Sequence, residues 1–169
     1  MPESSKELRV DDATPEDRIA IAHLNVWAYR EYSIDLGAER WPEMVRALTA
    51  AGASRFLVVR EDGDLLGSAA YRHPGLALSP LPAAWASIHL LAVSPDARRE
   101  GIATALVHSC LELARTDGAV TVGATVNGLM TGAQALFAGL GFRREQGLPK
   151  RDEPHFWIYR MDLIAGQQS

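Results

Sequence analysis

The chain has 169 residues, 47% of them hydrophobic and 22% charged, enough for one domain with a substantial core and short for a two-domain enzyme. Its 14 glycines and 9 prolines are scattered and no internal repeat occurs, which excludes disordered and fibrous classes. Seventeen basic residues stand against 21 acidic ones, a net charge of -4, so generic binding to nucleic-acid phosphates is disfavoured.

One cysteine, Cys110, cannot form an internal disulfide and has no companion thiolate for a metal site. No apolar run approaches the roughly 20 residues that cross a bilayer. The expectation is a cytoplasmic protein with no metal and no membrane partner, folded as one domain over residues 8–163 with short polar tails at 1–7 and 164–169.

In chain order, residues 8–11 read as a short strand. Thr14, Pro15, Glu16 and Asp17 then form a helix start, with a hydroxyl cap, a proline in the first turn and acids at the positive dipole end. The helix runs to about residue 32, and Ile19, Ala20, Leu24, Val26, Trp27 and Ala28 cover more than one stripe, which predicts packing on two sides. A second helix ends at residue 51, before Gly52. Residues 55–61 and 65–72 flank Asp62-Gly63-Asp64, a strong hairpin signal.

Residues 73–84 read as an unusually apolar loop, and 86–93 as a strand stopped by Ser94-Pro95-Asp96. A helix over 101–117 carries Ile102, Leu106, Cys110 and Leu113 on one face, closed by Gly118. Residues 119–126 are apolar or β-branched throughout, the pattern of a strand covered on both faces with a parallel neighbour. A short helix over 131–140 and strands near 142–146 and 157–163 complete an α/β, layered α+β domain.

The chemistry concentrates where the strand over 86–93 turns into the helix over 101–117. Gly101, Ala103 and Thr104 leave the opening N–H groups of that helix unobstructed, and with the positive dipole end they form an anion site. Arg98 and Arg99, three and two residues before Gly101, add positive charge. No Gly-Lys-Ser/Thr or Gly-x-Gly-x-x-Gly pattern is present, which argues against nucleotide hydrolysis and hydride transfer.

The spacing Arg98-x-x-Gly101-x-Ala103, placed after Leu-Ala-Val-Ser-Pro and before Leu106, resembles the acyl-CoA signature of the GNAT N-acetyltransferase superfamily. Ala133, Leu136, Phe137, Leu140, Gly141 and Phe142 resemble its second landmark, a short helix ending in Leu-Gly-Phe, and Tyr159-x-Met161 its closing strand. The resemblance implies a mixed, mostly antiparallel, twisted sheet of six to seven strands, splayed between the fourth and fifth and flanked by about four helices. It implies acetyl-CoA as donor, lying in the splayed gap. Leu91, Ala92 and Val93 would then contact the thioester and pantetheine, and Arg98, Arg99, Glu100, Gly101, Ile102, Ala103 and Thr104 the pyrophosphate. Asn127, Ala133 and Phe137 are further cofactor contacts by position.

Acetyl transfer to an amine needs the neutral amine, which calls for a base. Strand alternation places Ser87, His89 and Leu91 on one face, so His89 is the candidate base, with a buried structural histidine as the plain alternative. The tyrosine that commonly protonates the departing thiolate in the family is replaced by Phe137, leaving Tyr29, Tyr32 and Tyr71 as unplaced candidates. Trp27, Tyr32 and Ser87 are candidate acceptor contacts. Cys110, at core spacing, reads as a buried hydrophobe.

The expected activity is N-acetylation of a primary amine, an apolar or aromatic small molecule, by direct attack. Alternatives are a protein N-terminal or lysine acetyltransferase, or a non-catalytic acyl-CoA-binding module, with which the absent tyrosine is compatible. A homodimer is the default assembly.

Overall fold

A computed structural model describes residues 8–30, 41–50, 52–78, 81–98, 100–127, 130–145 and 156–163. The chain opens with β1 (Val10–Asp12), followed by a single 3-10 turn at Pro15–Asp17 and then α1 (Arg18–Ala28). The expected helix start is built around Asp17, whose carboxylate accepts the Thr14 N–H at 2.7 Å and the Thr14 hydroxyl at 3.1 Å. Arg60 also donates to that carboxylate. Helix α1 packs on two partners, the sheet and the helix that follows it. Ile21, Ala22, Leu24, Asn25 and Ala28 are buried, while Ile19 is 73% and Trp27 46% exposed. The surplus apolar residues lie on the solvent side.

Next come α2 (Trp41–Ala50) and a hairpin of β2 (Arg55–Glu61) and β3 (Asp64–Arg72). Asp62 and Gly63 both have positive φ, at 51° and 85°, as a two-residue primed turn requires. The chain continues through β4 (Ala86–Val93), a 3-10 turn at Pro95–Ala97, α3 (Ile102–Thr116), β5 (Thr121–Asn127), α4 (Thr131–Gly139), β6 (Arg143–Glu145) and β7 (Phe156–Asp162). The seven strands form one sheet in the order β1-β2-β3-β4-β5-β7-β6. All pairings are antiparallel except β4 with β5.

That parallel pair is short. Ala86 faces Val122 and Ser87 faces Gly123, and there the described pairing ends, so the rest of β4 leaves an open edge toward β5. On its other edge β4 carries a bulge: Ser68 faces Ala92 while Ala70 faces His89, so Leu90 and Leu91 oppose Ala69 alone. Leu90 sits at φ 51°, a left-handed conformation that a branched side chain adopts at a cost and that marks re-aimed strands near functional sites.

Two apolar layers hold the sheet. On one face Ile102, Leu106 and Cys110 of α3 pack with Leu57, Val59, Ala69 and Ile88. On the other, Ile21 and Ala22 of α1 and Val45 of α2 pack with Phe56, Val58, Ala70 and Leu90. Helix α3 approaches so closely that a Cβ on Gly67 would stand 2.5 Å from Ile102 Cγ2, which fixes the first turn of α3 directly over the sheet. Among the described residues no helix is long and apolar enough to cross a membrane.

Candidate active site

The open edge of β4 forms one wall of a cleft of about 490 Å³. Leu91, Ala92 and Val93 line this wall, Arg98 and Gly101 to Thr104 the end, and Met130, Gly132, Ala133 and Leu136 the facing side. Gly101 caps α3 at φ 80°, and no side chain caps the helix. The first intrahelical bond runs from Ala105 N–H to the Gly101 carbonyl at 3.0 Å, so the amides of Ile102, Ala103 and Thr104 precede the hydrogen-bonded ladder and open toward the cleft. Arg98 donates to the Ala28 carbonyl at 3.3 Å, tying this end to α1.

Of the residues singled out from sequence, Leu91, Ala92, Val93, Arg98, Gly101, Ile102, Ala103, Thr104 and Ala133 thus meet in one cleft. Glu100 is exposed beside it and is not among its lining residues. Asn127 ends β5. Arg99 and Tyr32 lie outside the described residues. Phe137 is buried against Phe142, edge to face at 5.0 Å, and Tyr159, stacked at 6.0 Å, so it belongs to the core beneath α4 rather than to the cleft lining.

Among the described tyrosines, Tyr29 is the one that lines the cleft. It follows α1 directly, lines the cleft, and donates its hydroxyl to the Leu91 carbonyl. Tyr71 is fully buried and donates to Asp117 at 2.7 Å, and burial together with that carboxylate pushes its pKa up. It sits on the α3 side of the sheet, at the far end of that helix. Cys110 is likewise buried, its thiol pushed up to about 12 by desolvation, which makes it inert.

The expected alternation along β4 does not hold through the bulge. His89 is paired with Ala70 and Ala92 with Ser68, placing both on the α1 face, whereas Leu91 packs with the α3 layer. His89 and Leu91 therefore point to opposite faces. A bulge has no signature in an apolar run such as Leu90, Leu91, Ala92 and Val93. His89 Nε2 lies 3.1 Å from Ser54 Oγ and 3.4 Å from Arg72 Nε. Guanidinium nitrogens only donate, so Nε2 is the unprotonated nitrogen. Burial, reinforced by the Arg72 charge, lowers the His89 pKa to about 4.

Ser87 is 2% exposed, and its Oγ has no hydrogen-bond partner. Trp27 stands at the solvent side of α1 and is not among the cleft-lining residues. Sequence reasoning did not single out Ala28, Ala97, Met130, Gly132 or Leu136 as cleft residues, nor Arg72 and Ser54 as neighbours of His89. Small and apolar side chains of this kind carry no local signal. No group of three or more potential metal ligands occurs among the described residues.

A family model described as the acetyltransferase (GNAT) family matches residues 20–142. The chain belongs to the GNAT family. Solved structures agree across nearly its full length. A GCN5-related N-acetyltransferase from Kribbella flavida is 26% identical, with a TM-score of 0.71 over 95% of this chain and 100% of that one. The ribosomal-protein-S18-alanine N-acetyltransferase from Escherichia coli is 20% identical, with a TM-score of 0.70 over 96% and 99%. An N-acetyltransferase from Staphylococcus aureus is also 20% identical, with a TM-score of 0.68 over 93% and 99%. The latter two speak to the fold alone. No curated protein matches the sequence. Membership of this family supports an acyltransferase, and the parallel, splayed β4 and β5 match the family architecture.

Proposed function

We propose that this GNAT protein transfers the acetyl group of acetyl-CoA to a primary amine, with the cleft between β4 and α4 as the donor site. The observation that carries the reading is the coincidence, in one cleft of about 490 Å³, of an uncapped α3 N-terminus and an unpaired strand edge. The residues fit the group. Ile102, Ala103 and Thr104 offer amides for a pyrophosphate, Arg98 adds a cation, and Leu91, Val93, Met130 and Leu136 give apolar walls for a pantetheine arm. When bound, acetyl-CoA supplies an activated thioester.

The chain's own groups account for the remaining chemistry. Backbone groups of Leu91 to Val93 orient the donor and offer N–H dipoles where negative charge develops. Tyr29 Oη, beside Leu91, holds the proton for the departing thiolate, the role for which Phe137 has no hydroxyl. His89 Nε2, on the α1 face beside Ser54 and Arg72, is the candidate proton acceptor. Ser87 and the residues around it form the acceptor side.

The test is CoA release and product mass spectrometry over a panel of small amines, with peptides carrying free N-termini included. Turnover with an acetylated small amine supports the proposal. Turnover of peptides alone selects the protein acetyltransferase reading. Acetyl-CoA binding without turnover on any acceptor selects the non-catalytic module.

A further inference from the structure

Arg72, at the end of β3, is buried, with 6% exposure. Its guanidinium donates from Nε to His89 Nε2 at 3.4 Å and from Nη1 to the Leu76 carbonyl at 3.2 Å. It makes no ion pair with a carboxylate among the described residues. A guanidinium has five N–H donors and cannot lose its charge, so among the described residues its two neutral partners leave most of its donors unused and supply no counter-ion. Buried cations without a counter-ion are costly and are retained where an anion completes them.

The surroundings point to what that anion is. Arg72 is directly opposite Ser87 across the β3–β4 pairing, and Ser87 is opposite Gly123 on β5. The Ser87 hydroxyl is buried and without a partner on this same face. Leu81 and Trp85 close over Gly123, with Trp85 carbons 2.6 Å and 3.1 Å from where its Cβ would be. Arg160, also on this face, stacks on Trp85 at 4.7 Å and pairs with Glu145 and Asp162 of the same face. Among the described residues, a buried guanidinium without a carboxylate partner and an unpartnered hydroxyl therefore lie beside the candidate base, with Leu81 and Trp85 over the neighbouring Gly123.

We infer that the acceptor amine carries a carboxylate, bound by Arg72 and Ser87, so that the acceptor class is free amino acids rather than simple amines. The inference rests on the N-acetyltransferase reading of the same site. A planar guanidinium with free Nη donors matches a carboxylate in bidentate geometry, and the hydroxyl adds one more donor. The amine end of such an acceptor is then held near His89, which shares Arg72 as a neighbour.

The experiment measures kcat/KM for a set of L-amino acids, each beside its amide and its decarboxylated amine, in the wild type and in Arg72→Gln and Arg72→Lys. The expected result is a preference for the carboxylate of about tenfold or more, carried mainly by KM, since charge-assisted hydrogen bonds are worth that much. Arg72→Gln should bring the ratio close to one, and Arg72→Lys should restore part of it. The wild-type comparison needs no variant, so a misfolded substitution does not decide the outcome. Equal or better turnover of amides and decarboxylated amines by the wild type overturns the inference and leaves the N-acetyltransferase reading standing. A preference that survives in Arg72→Gln overturns the role of Arg72. Failure of every amine, with or without a carboxylate, removes the acetyltransferase reading and this inference with it.

Discussion

Replacing Gly67 by alanine tests whether the cleft is set by the closeness of α3 to the sheet. The new methyl would stand 2.5 Å from Ile102 Cγ2, 3.1 Å from Leu106 Cδ1 and 3.3 Å from the Ala92 carbonyl oxygen. Carbon atoms rest comfortably at about 3.5 Å or more, so Ile102 has to retreat by roughly 1 Å. Ile102 is 1% exposed and β-branched in the first turn of a helix, where one rotamer dominates, so rotation offers little relief and the helix start itself moves. Overpacking of this kind costs about 1 to 3 kcal/mol. Urea unfolding should show a lower midpoint at unchanged slope. Calorimetry should show weaker acetyl-CoA binding, because Gly101 to Thr104 move with Ile102. Combining the change with Ile102→Ala removes the clashing carbon, so the double variant should lose less stability than the two single losses together. An unchanged midpoint and unchanged affinity in Gly67→Ala would refute the reasoning.

Three further outcomes follow from the same geometry. Tyr29→Phe removes the hydroxyl bonded to the Leu91 carbonyl, and kcat should fall by about 10- to 100-fold with acetyl-CoA affinity little changed; a change in affinity alone would make Tyr29 a binding residue only. Acid should destabilise the fold in two windows, measured by thermal unfolding against pH. With its pKa lowered from 6.5 to about 4, His89 binds a proton in the unfolded chain before the folded one, so stability present above pH 6.5 is lost as pH falls toward 4, by about 2 to 3 kcal/mol. The Asp17 carboxyl, held at about 2 chiefly by Arg60, gives stability present above pH 4 and lost toward pH 2. After allowance for screening around the partly exposed Arg60, that loss is about 1 to 2 kcal/mol. His89→Gln should abolish the upper window and Asp17→Asn the lower; the same titration of kcat/KM should place any His89-dependent limb near pH 4 rather than near 6.5.

The fold was legible wherever local chemistry decides local structure. Asp62 and Gly63 announce a primed turn, and both have the positive φ it needs. The run after Gly118 announces a strand buried on both faces, and β5 is one, with Thr121 to Ala124 buried. The glycine-led start of α3 was legible for the same reason: an amide-donating helix end needs small residues and leaves them in the sequence. What was hidden depends on contacts between distant segments. The bulge at Leu90 places His89 opposite Leu91, and period-two reading of β4 cannot detect it. Arg72 reads as an ordinary strand-ending cation until the fold buries it beside His89 and Ser87. Tyr29 could be named but not placed, because only the packing of α1 on β4 brings it to Leu91. On α1 the two packing partners expected from its broad apolar stripe are present, but Ile19 and Trp27, apolar by type, face solvent.

The central claim is that one cleft holds the donor and delivers its acetyl group to an amine. The most direct test is single-turnover acetyl transfer from bound acetyl-CoA, followed by mass spectrometry of the acceptor, in the wild type and in Ala103→Trp, whose side chain would obstruct the cleft end where Ala103 lies. The account predicts one acetylated amine per CoA released in the wild type, and loss of both acetyl-CoA binding and product in the variant. Product formation undiminished in Ala103→Trp, or tight acetyl-CoA binding by the wild type with no acetylated amine, would contradict it.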